Sequence, residues 1–102
     1  MLKGINPLLN ADVLGVLRAM GHGDDLIIAD TNFPADSVAR QTAYGKLLRI
    51  DASAADVVQA VLSVMPIDTF VDDAAARMEV VDEPKTILPV MTEVQDKISA
   101  VD

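Results

Sequence analysis

Cysteine and tryptophan are absent from the 102 residues, and Phe33, Tyr44 and Phe70 are the only aromatic side chains. Without a thiol there is no disulfide framework, no zinc–thiolate centre and no cysteine nucleophile. Basic residues are also scarce: eight Lys and Arg are scattered among sixteen Asp and Glu, for a net charge of −8. A phosphate backbone is held by clustered cations, so no nucleic-acid partner is expected, and an anionic membrane surface suits the chain no better. No run approaches the roughly 18 apolar residues of a membrane span, and no basic segment followed by an apolar one opens the chain. The expectation is a soluble, cytoplasmic protein. A single histidine, His22, leaves no transition-metal cluster, and neighbouring acids such as Asp24-Asp25 and Asp72-Asp73 are normally solvated, so no metal is expected. Gly21-His22-Gly23 begins like a dinucleotide fingerprint, but Leu26 stands where the third glycine belongs; there is no P-loop and no Gly-x-Ser-x-Gly elbow.

Aliphatic residues dominate what is present. Hydrophobic residues make up 51% of the chain, enough for the modest core of one domain. So small and aliphatic a chain has more apolar surface than it can easily hide alone, and a homo-oligomer is the natural outlet. Along the sequence, Asn10 is a good N-cap, and Val13, Leu14, Leu17 and Met20 recur at helical spacing, predicting a first helix over about 11–20 that Gly21 ends in a left-handed conformation. Leu26-Ile27-Ile28-Ala29 lacks polar alternation and reads as a strand covered on both faces. Residues 30–40 read as an irregular loop containing Pro34, residues 41–46 as a turn with Tyr44 and Gly45, and Leu47 to Ile50 as a second short apolar run. Ser53 and Asp56 resemble a capping box, with Val57, Val58, Val61, Leu62 and Met65 forming an amphipathic face before Pro66. The stretch 68–73 is ambiguous, and 74–81 suits a third strand or a helix. Glu83-Pro84 marks a linker. Pro89 fits the first turn of a last helix with Val90, Val94, Ile98 and Val101 along one face.

The chemistry concentrates between Met20 and Ser37. His22 follows the first helix on a glycine loop, where the helix C-terminus favours a cationic imidazole; Asp30 closes the apolar run at the end of the strand, where ligand sites of α/β sheets gather. Spacing alone fits a capping or surface histidine and a turn aspartate more readily than a catalytic pair. The whole string says more. Gly21-His22-Gly23-Asp24, then Ala29-Asp30-x-Asn32-Phe33-Pro34-Ala35-x-Ser37, resembles the signature of the ribose pyranase and fucose mutarotase family (RbsD/FucU), closer to the fucose branch. Met1-Leu2-Lys3-Gly4-Ile5-Asn6-Pro7-Leu8-Leu9 is similar to that branch's opening, and Leu48-Arg49-Ile50-Asp51 looks like its Arg-x-Asp element.

The resemblance implies an α/β fold in three layers, with helices packed on a small, mainly parallel sheet in a single domain over 1–102. It implies a sugar mutarotase that interconverts the α and β anomers of L-fucose or a related aldose, with His22 as proton donor, Asp30 as a substrate-binding residue and no cofactor. D-ribose pyranase activity and a non-catalytic sugar-binding or assembly role are the alternatives. Family members form ring-like homo-oligomers, a decameric ring among the forms implied, with sites at subunit interfaces. They also continue past residue 102 into a segment with a basic sugar-contacting residue and a Tyr-x-Asn motif, so the domain is expected to be C-terminally truncated. Tyr44 lies in a different part of the pattern and does not replace that tyrosine.

Overall fold

Asn10 does two jobs at the start of the first helix. The computed structural model describes residues 1–68, 74–78, 82–83 and 85–100, and in it α1 spans Ala11–Ala19. The Asn10 backbone is extended and its side-chain oxygen accepts from the Val13 N–H at 3.0 Å, satisfying one of the donors a helix start leaves open. Its amide nitrogen donates to the Arg49 carbonyl at 2.8 Å, tying the cap to a distant segment. The far end differs from expectation. Met20 turns extended (φ −63°, ψ 136°) while its N–H still reaches the Val16 carbonyl at 3.0 Å. Gly21 is not the left-handed residue; the positive φ falls at Gly23, +93°. An extended Met20 already turns the chain out of the helix, which moves the need for glycine into the following turn.

The loop read as irregular contains a short helix, α2, Ala35–Ala39. Five residues are too few to show a period in sequence, but Pro34 supplies a helix-compatible φ and Asp36 pairs with Arg40 one turn on, at 2.7 Å. The turn expected at 41–46 is present, with Gly45 at φ +78° and its N–H on Thr42 Oγ1 at 3.1 Å. α3, Ala54–Leu62, starts where the Ser53 hydroxyl accepts from the Asp56 N–H at 3.2 Å, the Ser-to-backbone half of the predicted box. It buries Ala55, Val58, Ala60 and Val61. α4, Pro89–Ser99, has proline in its first turn as expected and packs against α3. Val94 and Ile98 are half-buried along its face, Val90 is exposed, and Val101 lies outside the described residues.

The core joins the N-terminal segment and α1 to α3. Leu9, Val13, Ala60 and Val61 are its buried centre; Leu17, Leu26, Leu48, Ile50, Val57 and Met65 pack around them. The sheet expected between the helices is where structure and sequence part: among the described residues no β-strand forms. Leu26 packs on the core, but Ile27 and Ile28 are 73% and 41% exposed, so this run is covered on one side only. Leu48 and Ile50 point into the core while Leu47 and Arg49 face out. A strand exists through ladder bonds to a neighbour, and no backbone hydrogen bond among the described residues joins one of these runs to the other. Residues 74–78 are irregular and exposed. The remainder of the ambiguous stretches, 69–73 and 79–81, lies outside the described residues, as does Pro84.

Candidate functional site

A tight turn sets the position of His22. The Gly21 N–H donates to Asp24 Oδ2 at 2.7 Å, the Asp24 N–H returns to the Gly21 carbonyl at 3.1 Å, and Gly23 takes the left-handed backbone between them. The aspartate thus closes the loop over which the imidazole projects. The ring is 71% exposed, and its Nε2 lies 3.6 Å from Oδ2 of Asp68, whose side chain is 29% exposed. Asp68 follows the exit from α3 through Met65, Pro66 and Ile67. Met65 packs on the core cluster that also holds Leu17 of α1, so the core brings the end of α3 near the turn that carries the histidine.

Asp30 has a different local role. Its Oδ1 accepts from the Asn32 N–H at 3.1 Å and the Phe33 N–H at 3.0 Å, and its own carbonyl accepts from the Phe33 N–H at 3.3 Å. This is an Asx turn, and it shapes the Asn32-Phe33-Pro34 loop that leads into α2. With Oδ1 so occupied, Oδ2 makes no bond in the turn, and the residue is exposed. The structure therefore pairs His22 with Asp68, and Asp30 with its own loop. Asp68 was the residue that sequence reasoning missed: it sits in the ambiguous stretch after α3, and no motif marks an acid there.

Concavity is found elsewhere. An open groove of about 610 Å³ between α3 and α4 is bordered by Asp56, Glu93, Asp96 and Lys97, and neither His22 nor Asp30 lines it. The imidazole and the carboxylate of Asp68 instead lie side by side on a turn surface, 3.6 Å apart.

The helices, the glycine turn and the histidine beside an acid place the titratable groups of this chain on exposed loops. The model of the RbsD / FucU transport protein family matches residues 3–102, and the chain belongs to that family. It is 41% identical over 86 residues to the fucose mutarotase of Homo sapiens, a match covering 82% of this chain and 54% of that protein. It is 36% identical over 83 residues to the L-fucose mutarotase of Haemophilus influenzae strain PittEE, covering 80% of this chain and 54% of that one. The crystal structure of protein Atu2016, a candidate sugar-binding protein, superposes with a TM-score of 0.94 at 58% identity, covering 99% of this chain and 68% of that chain. The chain thus spans about half the length of these curated relatives.

Proposed function

We propose that this chain works as a sugar mutarotase on L-fucose or a related aldose, with His22 as the proton-transfer group and Asp30 as a ligand for the sugar. One observation carries the reading: the family's Gly-His-Gly-Asp string forms a closed turn that presents its imidazole to solvent beside a carboxylate. Anomer exchange asks little more of a protein. The anomeric hydroxyl gives up its proton, the bond from the anomeric carbon to the ring oxygen breaks, and the electron pair left on the ring oxygen takes a proton, leaving an open-chain aldehyde. Rotation about the adjacent carbon–carbon bond and reversal of the steps give the other anomer. An imidazole can give and take protons of this kind. Asp30 Oδ2 and the Asn32-Phe33-Pro34 loop beside it are suited to hydroxyl groups, since the loop is already ordered by Oδ1.

The fucose branch is favoured over ribose because relatives of this chain carry the name fucose mutarotase. A sugar-binding role without turnover is the second reading, favoured by the description of protein Atu2016. The remaining parts of the proposal follow the same family pattern: one domain, a cytoplasmic location, and a homo-oligomer. A mainly parallel sheet forms where the exposed runs Leu26–Ala29 and Leu47–Ile50 gain pairing partners. Magnetisation transfer between the two anomeric protons of L-fucose, repeated with D-ribose, tests the activity. Faster exchange for fucose that disappears in His22→Ala establishes mutarotation; sugar binding with no acceleration of either sugar establishes the second reading.

A further inference from the structure

We propose that Phe33 sets the sugar specificity of the site at Asp30: its ring packs against the C–H side of the aldose and the C5 methyl group of L-fucose, while Asp30 Oδ2 accepts from a hydroxyl group. The proposal rests on the reading of Asp30 as a sugar ligand. Its own support is the build of the loop. The Phe33 N–H donates to Asp30 Oδ1 at 3.0 Å and to the Asp30 carbonyl at 3.3 Å. The Phe33 carbonyl accepts from the Ala35 N–H at 2.7 Å across Pro34, whose φ of −73° and ψ of 62° are those of an inverse γ-turn. Both backbone polar groups of Phe33 are thus used to fix it, and its ring starts a few bonds from a nitrogen that is bonded to the carboxylate.

No packing among the described residues asks for an aromatic ring at this position. Phe33 is 44% exposed and is not among the apolar side chains gathered on the core. Leaving so large an apolar group half in water forgoes burial that would stabilise the fold. Of the other aromatic residues, Tyr44 sits on a separate turn closed by the Thr42 hydroxyl, and Phe70 lies outside the described residues. Beside Asp30, a fixed aromatic surface therefore adjoins a carboxylate whose Oδ2 takes no part in the turn. Ligand sites join apolar surface to a few placed polar groups, and a pyranose matches that combination, with hydroxyls at its rim and C–H groups on its faces. In L-fucose the axial 4-hydroxyl leaves C3–H, C4–H and C5–H together on the opposite side, and the C5 methyl extends that apolar patch.

D-Arabinose in its pyranose form is L-fucose without the C5 methyl group, so the pair isolates the contact. Titration calorimetry of the full chain with each sugar is expected to show fucose bound about fourfold more tightly, the worth of one buried carbon. Phe33→Ala is expected to bring the two affinities together and to lower that for fucose more than that for arabinose. Phe33→Leu, which keeps apolar bulk, is the second variant and is expected to retain most of the preference. The loop bonds of Phe33 come from its backbone and survive both substitutions. Equal affinities in the native chain, a preference unchanged in Phe33→Ala, or a fall by the same factor for both sugars overturns the proposal, the last because a merely structural role moves both alike. Binding of neither sugar overturns the reading of Asp30 and this proposal with it. A preference that depends on Phe33, with no acceleration of anomer exchange by the native chain, overturns the mutarotase reading alone and leaves the role of Phe33 standing.

Discussion

Asp30 shows how one side chain carries a structural and a proposed chemical role at once. Its Oδ1 accepts from two backbone N–H groups, which builds the loop, while the sugar would be met by the rest of the carboxylate. The two roles separate by substitution. Asp30→Asn keeps an oxygen that can accept both N–H bonds, so its unfolding midpoint is expected to match the native chain, whereas Asp30→Ala loses the turn and costs about 0.5–1 kcal/mol in urea unfolding. If the carboxylate binds sugar, both variants weaken fucose binding by titration calorimetry; native affinity in Asp30→Asn would reduce Asp30 to a turn residue. His22 and its glycines were readable in the sequence as a surface loop after a helix. That Gly23 rather than Gly21 bears the positive φ was not readable, because either glycine tolerates it and the choice depends on how Met20 leaves the helix.

Helix caps make the elements legible and also rank them. Ser53 holds one N–H of α3, whereas Asn10 holds one N–H of α1 and also the carbonyl of Arg49. Ser53→Ala is expected to cost about 1 kcal/mol, as for an ordinary N-cap, and Asn10→Ala up to about 2 kcal/mol because a second, long-range bond goes with it. Urea unfolding of the two variants checks the order; equal losses would mean that the Arg49 contact contributes nothing. The cap of α1, the cap and apolar face of α3 and the proline start of α4 could all be read from residues a few positions apart. α2 could not, because its five residues are shorter than the period by which helices are recognised. The two apolar runs were recognisable as runs, but whether they pair as strands depends on a neighbour that no local pattern specifies.

At the scale of the molecule, exposure is the dominant feature. The chain presents 8288 Å² to solvent, against about 5,500 Å² for a folded monomer of its mass, 10.8 kDa. Large apolar side chains are among the exposed ones, with Ile27 at 73%, Ile87 at 64% and Met78 at 87% exposed. The buried centre is correspondingly small. Val61→Ala, which opens a hole where Leu9, Val13 and Ala60 meet, is expected to cost about 2 kcal/mol, while Ile27→Lys changes the unfolding free energy of the isolated chain by less than about 0.5 kcal/mol. A large loss for Ile27→Lys in urea unfolding would show that this run is covered in solution. By itself the sequence determined the absence of thiol chemistry, the caps, the turns, the apolar faces and the family string around His22, since each depends on residue type or on neighbours a few positions away. Only the tertiary structure decided that Asp68 meets His22 and that Asp30 closes its own loop. It also decided that the two apolar runs do not pair with each other among the described residues, because contacts between positions far apart are set by how α1 and α3 share one core.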